Sequence, residues 1–343
     1  MNVARIGLDL AKLVFQVHGV NEEGKPVVCK TLSRGKVLEF FAQLPSCLVG
    51  MEACGGAHHW ARELKKLGHD VRMMSPQFVT PYRKEQKNDG NDAAAICEAV
   101  ARPTMRFVPV KSIEQQAVLT VHRARQLVVG ERTALVNQVR GLLSEFGIVV
   151  GQGVGQLRRR LPEVLEDTEN QLPALAREAF SDLLDRLRLT DARIREYDRR
   201  VANLLQNMPA AQRLTQMEGV GPITATALVA TVGEAREFVN GRQFAAWLGL
   251  VPRQYSSGGK ARHGRITKRG DRYLRTLLVH GARTVLVRAS RREDAKSQWF
   301  QRLRARRGFN KATVALAAKH ARILWVMLAR GEDYRSFPAT AIA

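Results

Sequence analysis

Short runs in which apolar and polar residues alternate fill the first hundred positions of the chain, and longer runs with helical spacing follow them. Residues 3–9, Val-Ala-Arg-Ile-Gly-Leu-Asp, predict a strand. Val14–Val20 predicts a second, and residues 27–32 a third after the turn Asn21-Glu22-Glu23-Gly24-Lys25-Pro26. Ser33 stands where it can cap a helix running to about residue 44. Residues 47–52 give another short apolar strand, and a Gly-Gly turn opens a helix over 57–67. Residues 69–75 predict a fifth strand and 91–101 a helix. The order β-β-β-α-β-α-β-α specifies an α/β domain that begins with three meandering strands.

Residues 112–145 then read as one long amphipathic helix, with Val118, Val121, Leu127, Val128, Leu135, Val136 and Leu142 recurring among charges. Gly151-Gln-Gly-Val-Gly155 breaks the pattern, and residues 177–206 form a second long helix. Two such helices pack as a hairpin or coiled coil, within a chain or between subunits, and their expected role is spacing and assembly. A further unit begins near Leu214. The division expected is 1–110 for an α/β domain, 111–207 for the long-helix region, and 208–343 for a mainly helical C-terminal domain. No stretch approaches the roughly 20 apolar residues of a membrane helix. The start has no signal-peptide pattern. The four cysteines lack C-x-x-C spacing, so neither a zinc site nor a disulfide framework is expected, and a reducing cytoplasm fits.

Charge changes this picture. The formal net charge is +23, and residues 241–343 carry 23 Lys and Arg against 5 Asp and Glu. The same segment is rich in Leu, Val, Trp and Phe, so it reads as folded rather than as a solvated tail. A folded basic field of that strength points to a nucleic-acid partner.

Four acids stand at places where chemistry is expected. Asp9 ends the first strand in Gly7-Leu8-Asp9-Leu10-Ala11-Lys12, and Glu52 ends the fourth in Met51-Glu52-Ala53-Cys54-Gly55-Gly56. Asp89 and Asp92 lie three apart where a helix starts, in Lys87-Asn88-Asp89-Gly90-Asn91-Asp92-Ala93, and so share one helix face. Either of that pair alone would fit helix capping. An acid closing an apolar strand is harder to explain blandly. Neighbouring strand ends would bring Asp9 and Glu52 to one edge, and clustered carboxylates call for a hard cation, Mg²⁺ with Mn²⁺ as the alternative. Two such ions could activate an oxygen nucleophile and stabilise the leaving oxygen of a phosphodiester.

Met217-Glu218-Gly219-Val220-Gly221-Pro222-Ile223-Thr224-Ala225 looks like a helix-hairpin-helix turn, whose glycines, Gly219 and Gly221, would let backbone N–H groups approach a phosphate. An ordinary tight turn between helices would read the same way. The most specific string runs from Phe244 through Tyr255-Ser256-Ser257-Gly258-Gly259-Lys260 to Arg275. It sets a serine in a flexible glycine loop ringed by Arg253, Lys260, Arg262, Arg265, Lys268 and Arg269, where a phosphate would dock. A hydroxyl needs a base, a cation or a metal to attack phosphorus, and the sequence offers only His263 nearby.

Taken in order, Gly-Leu-Asp-Leu-Ala-Lys, Met-Glu-Ala-Cys-Gly-Gly, Lys-Asn-Asp-Gly-Asn-Asp-Ala and Gly-Leu-Val-Pro-Arg…Ser-Gly-Gly-Lys…Ile-Thr-Lys-Arg-Gly-Asp resemble the DEDD transposases of the insertion-sequence 110 group, 1111 subgroup. The resemblance spans essentially the whole chain. It implies an N-terminal domain of ribonuclease H-like, RuvC-like fold whose DEDD set is Asp9, Glu52, Asp89 and Asp92. It also implies a C-terminal transposase domain whose essential serine falls on Ser257, with Ser256 adjacent. In such enzymes the serine forms a covalent link to DNA, domains of different subunits build a composite site with Mg²⁺, and a structured RNA from the element pairs with donor and target DNA. A bacterial, nucleoid-associated homo-oligomer, dimer or tetramer, follows, because recombination must hold two duplexes. Two other readings compete: a metal-dependent, junction-resolvase-like endonuclease with no covalent intermediate, and a non-enzymatic nucleic-acid-binding protein with a decayed nuclease fold. The intact carboxylate set argues against the last.

Overall fold

The computed structural model describes residues 2–84, 86, 88–289 and 294–335. The chain divides into two compact units, Met1–Ser112 and Ile113–Ala343.

The first unit is a mixed α/β sheet. β1 (Arg5–Leu10), β2 (Val14–Val20) and β3 (Pro26–Ser33) form an antiparallel meander. After α1 (Val37–Ala42), β4 (Leu48–Glu52) returns parallel to β1, and β5 (Asp70–Met74) follows α2 (Ala57–Lys66) parallel to β4. The short α3 (Pro76–Val79), then α4 (Asp89–Val100) and the two-residue β6 (Phe107–Val108), complete a sheet of order β3-β2-β1-β4-β5-β6. β6 is too short for alternation to announce it. Ser33 flanks a 3-10 turn, Arg34–Lys36, and makes no capping bond, so the helix expected from it is reduced to α1.

Side chains of one strand alternate between the two faces of the sheet. Ile6, Leu8, Val49 and Met51 are buried against Val37, Phe41, Trp60 and Leu64 of α1 and α2. The opposite face is covered by α4, which comes unusually close. A Cβ added to Gly7 would stand 2.0 Å from the carbonyl oxygen of Ala93 and 2.4 Å from the amide nitrogen of Cys97. One added to Gly50 would stand 2.7 Å from Cβ of Val100. The two glycines therefore let α4 lie on the backbones of β1 and β4.

The second unit is helical apart from one hairpin. α5 (Ile113–Glu145), α6 (Val154–Glu166) and α7 (Ala174–Gln206) share a core of Leu135, Val139, Leu143, Leu157, Leu161 and Phe180 among others. Asp191 of α7, almost buried, accepts hydrogen bonds from Arg158 of α6 and from Arg132 of α5, the latter at 3.3 Å, which ties the three helices together. α6 stands where the sequence shows only a glycine-rich break; Gly153 precedes it and Pro162 lies inside it. There follow α8 (Pro209–Leu214), α9 (Pro222–Val232), α10 (Gly241–Trp247), the hairpin β7 (Pro252–Ser257) and β8 (Lys260–Ile266), α11 (Arg272–Ala289), α12 (Ala295–Arg307) and α13 (Phe309–Ala329). α13 corrects one expectation, because it is long and apolar enough to cross a membrane. Its apolar residues have another use: Leu316, Ala317, Ala321, Leu324 and Met327 are buried in the core shared by α8 to α13.

A buried polar chain crosses this core. His122 of α5 is 0% exposed, with Nδ1 3.0 Å from the Tyr273 hydroxyl and Nε2 3.0 Å from Oγ1 of Thr226. The Thr226 hydroxyl donates to the Pro222 carbonyl, so it accepts from His122 Nε2–H, and Nδ1 accepts from Tyr273. Burial, helped by the charges of Arg125 and Arg123, pushes the His122 pKa down to about 4. In the unfolded chain this histidine takes up a proton near its ordinary value, whereas the folded one stays neutral. The stabilisation is therefore complete above pH 6.5 and drains away as pH falls toward 4, by roughly 3 kcal/mol at the lower end. Denaturant unfolding of the second unit between pH 7 and 4.5 should show this loss in the wild type and a shallower one in His122→Asn. Equal slopes would mean that His122 is not the group responsible. His58 of the first unit, also lowered to about 4 by burial and by Lys111 and Arg62, adds the same sign in both proteins.

Candidate functional site

The first cluster lies where β1 and β4 end. Asp9 stands two residues beyond Gly7, and Glu52 two residues beyond Gly50, so both acids lie on the face that α4 covers. In the parallel pairing Leu8 aligns with Met51, which sets Asp9 and Glu52 at adjacent strand ends. The exposed Cys54 feels both carboxylates: burial, then Glu52, then Asp9, push its thiol above the usual value.

α4 runs against β1, so its first turn rises toward the same end. One helical turn back from Ala93 is about 6 Å, and two strand residues on from Gly7 is about 6.6 Å, which brings Asp89 level with Asp9. Gly90 agrees, since a Cβ there would lie 3.9 Å from Nε2 of Gln16, the residue paired with Asp9 across β1 and β2. The cap of α4 is Asn88, whose Oδ1 accepts from the Asn91 amide at 2.7 Å, so neither Asp89 nor Asp92 is needed for capping. Asp92 instead accepts from Arg83 at 3.2 Å, and Asp89 is exposed. Asp9 and Glu52 thus stand at adjacent strand ends, and Asp89 and Asp92 on the first turn of the helix that covers that face. Among the described residues no three Asp, Glu, His or Cys side chains are close enough to form a ready metal-ligand group.

The second cluster is the hairpin. Gly258 and Gly259, at φ +55° and +74°, form its two-residue turn, which is the geometry a tight hairpin requires. The flexible loop expected here is thus an ordered ribbon. Every residue of β7 is exposed, and Ser257 pairs with Lys260, Ser256 with Ala261, Tyr255 with Arg262, and Gln254 with His263. Alternation separates the two serines. Ser257 shares a face with Tyr255, Lys260 and Arg262, while Ser256 shares the other with Gln254 and His263 and accepts from Gln254 Nε2 at 2.9 Å. Arg253, Lys260, Arg262, Arg265, Lys268 and Arg269 are all exposed, and none pairs with a carboxylate among the described residues.

The ribbon is held at its root by backbone contact. A Cβ on Gly270 would lie 1.9 Å from the Trp247 carbonyl oxygen, and one on Gly249 would lie 2.2 Å from that of Arg269. Lys268, at φ +55°, donates its amide to Gly249, and Arg275 donates Nη1 to the carbonyls of Leu248 and Arg269. The glycine turn before α9 divides its work. Gly219 packs against α11, where a Cβ on Gly281 would come 1.9 Å from its carbonyl oxygen. Gly221 is exposed, with nothing within 4 Å of where a Cβ would be.

Several of these features escape sequence reading: the pairing of Arg83 with Asp92, the relay from Tyr273 through His122 to Thr226, and the docking role of Gly7 and Gly50. A signal for the last does exist. Gly-Leu-Asp and Gly-Met-Glu are the same three-residue pattern, a residue without Cβ two before an acid.

Known proteins carry the same arrangement of sequence. Residues 6–148 match the DEDD transposase family of IS110, and residues 211–298 match the transposase IS116/IS110/IS902 family. A probable family 20 transposase of Pseudomonas aeruginosa is 54% identical, the alignment covering 98% of this chain and 99% of the relative. The transposase for insertion sequence element IS1111A of Coxiella burnetii is 42% identical over 96% of this chain and 91% of the relative. That for IS1328 of Yersinia enterocolitica is 40% identical over 96% and 98%. With a mixed α/β N-terminal sheet, a helical C-terminal region and relatives alike over nearly their full length, the chain belongs to the IS110/IS116 family of insertion-sequence transposases.

Proposed function

We propose that this transposase cuts and rejoins DNA through a serine nucleophile, Ser257, assisted by a Mg²⁺-binding carboxylate set, Asp9, Glu52, Asp89 and Asp92, on a RuvC-like domain. The observation that carries the reading is the sidedness of the hairpin. Ser257 stands on the face that holds Lys260 and Arg262, and Ser256 on the other. Two cations beside a hydroxyl can hold a phosphodiester against it and stabilise the charge that builds on phosphorus.

All four acids are oxygen donors of the class that Mg²⁺ or Mn²⁺ takes, and Asp9 and Glu52 stand at adjacent strand ends, so the donor chemistry suits a hard cation that would draw Asp89 and Asp92 in as further ligands. Asp92 would exchange Arg83 for it. When bound, Mg²⁺ supplies charge neutralisation on the phosphate and at the leaving oxygen. The chain's own step is a transfer. The Ser257 oxygen forms a bond to phosphorus, the bond from phosphorus to one deoxyribose oxygen breaks, and the serine proton ends on that oxygen. The phosphoserine keeps the energy of the broken ester for rejoining.

In this reading residues 1–110 supply carboxylates, 111–207 assemble subunits, and 208–343 present the serine, with Gly219 and Gly221 in a helix-hairpin-helix-like turn. The basic residues Arg253, Lys260, Arg262, Arg265, Lys268 and Arg269 contact DNA. A dimer or tetramer holds two duplexes, an element-encoded RNA guides the choice of DNA, and the protein works at the bacterial nucleoid.

The test is a denaturing-gel trap for covalent protein–DNA adducts, with element-end DNA, Mg²⁺ and transcribed flanking RNA. The adduct should form with wild type and with Ser256→Ala, and disappear with Ser257→Ala and Asp9→Ala. Cleavage without an adduct, surviving Ser257→Ala but not Asp9→Ala, would make the protein a plain metal-dependent nuclease.

A further inference from the structure

The hairpin carries one exposed large apolar side chain, and no core uses it. Tyr255 is 63% exposed, in a strand whose every residue is exposed. One edge of its ring is accounted for, since Cε2 lies 3.7 Å from where a Cβ of Gly264 would stand, on the neighbouring strand. That contact covers the glycine and leaves the rest of the ring in solvent. Among the described residues no other aromatic ring stacks on Tyr255 and no cation lies over it. Its cross-strand partner is Arg262, and two residues along the same face is Ser257, opposite Lys260.

Two strand residues span about 6.6 Å, roughly the reach of one nucleotide along a backbone. A phosphate held at Ser257 by Lys260 therefore puts a neighbouring base beside the Tyr255 ring. Aromatic faces bind bases of any sequence by stacking, and a flanking guanidinium strengthens the grip on an unstacked base. A base inside an intact duplex has no free face to offer, so the ligand is a base whose stack has opened.

We propose that Tyr255 and Arg262 form a stacking site for an unstacked nucleobase one nucleotide from the phosphate that Ser257 attacks. The position of that base rests on the assignment of Ser257 as nucleophile, while the stacking itself does not. Tyr255 is a positioning residue: it fixes the strand, and Ser257 does the chemistry. The ribbon, two strands with no apolar face of its own, gains its second layer from the DNA.

The experiment uses the full chain with element-end duplexes and transcribed flanking RNA, each duplex carrying one 5-iododeoxyuridine at a successive position around the cut. Near-ultraviolet irradiation joins an iodinated base to an aromatic ring stacked on it, and mass spectrometry locates the joined peptide. Wild type and Ser257→Ala should both cross-link at Tyr255, from one nucleotide position adjacent to the cut. Tyr255→Phe should keep the cross-link and the rate of adduct formation. Tyr255→Leu should lose the cross-link and raise the DNA concentration for half-maximal adduct formation about tenfold or more, with a smaller change in the saturated rate. An adduct at Ser257 without any cross-link to Tyr255 overturns the stacking site and leaves the nucleophile standing. A cross-link at Tyr255 with no adduct in wild type supports the stacking site and overturns the nucleophile instead.

Discussion

Asp9→Asn and Glu52→Gln should each slow strand cleavage at element ends by about 10³-fold or more, close to 4 kcal/mol of transition-state stabilisation. Each replacement keeps size and shape and removes one negative charge at the end of β1 or β4. A cation held by oxygen ligands loses most of its affinity when a carboxylate becomes an amide, because the amide oxygen carries only a partial charge. The folded state should be little affected, since both acids lie at the rim of the sheet and the buried side chains beneath them, Leu8 and Met51, are untouched. Single-turnover cleavage measured with Mg²⁺, alongside thermal unfolding of the same samples, separates the two effects. Near-normal cleavage by both variants would remove the carboxylates from the reaction. Asp92→Asn tests a finer point, because it also releases Arg83. Its cleavage should recover in part at higher Mg²⁺ if Asp92 serves as a ligand, and should not if its role ends with Arg83.

The second large effect is on stability. Gly7→Ala places a methyl group 2.0 Å from one backbone atom of α4 and 2.4 Å from another. Neither can swing aside as a flexible side chain would, so the helix must move by more than 1 Å relative to β1, giving up contact across its whole buried face. Ile96, Ala99 and Val100 lie on that face. Overpacking of this kind costs about 3 kcal/mol or more. Gly35→Ala is the matching control, because nothing lies within 4 Å of its added carbon, and it should stay within about 0.5 kcal/mol of wild type. Urea unfolding followed by circular dichroism compares them; equal stability of the two variants would refute the close docking of α4. Asp89 and Asp92 ride on the first turn of α4, so Gly7→Ala should also lower cleavage.

What the sequence could reveal depended on which residues face a core. Strand β2 and helices α5 and α7 each bury one side, and burial writes period 2 or period 3.6 into the chain, whereas β1 and β4, covered on both faces, read as short apolar runs. The hairpin buries neither side. Pro252-Arg-Gln-Tyr-Ser-Ser and Lys260-Ala-Arg-His-Gly-Arg-Ile therefore alternate nothing that can be read, and only the Gly-Gly turn marks them. Helix α6 was hidden for a different reason: two glycines before it and a proline within it spell a loop, while Leu157, Leu161 and Val164 bury one face all the same. At the candidate site, Asp9 and Glu52 stood out because an acid ending an apolar strand is unusual. Arg83 could not stand out as the partner of Asp92, since many arginines of this chain are equally eligible. The His122 relay joins residues 104 and 151 positions apart in sequence, a distance at which one sequence carries no pairing signal.

The root of the ribbon has a consequence for how such an enzyme can change. Gly249, Gly270 and Arg275 fix where the ribbon emerges, through close backbone contact and the Arg275 guanidinium on two carbonyls. Beyond them, the described side chains from Arg253 to Arg265 belong to none of the core clusters. Substitutions there alter what the ribbon touches without drawing on the stability of the domain that carries it. Selection on this stretch is thus decoupled from selection for folding. Replacements in this stretch should therefore show as altered contact with DNA and not as a lower melting temperature.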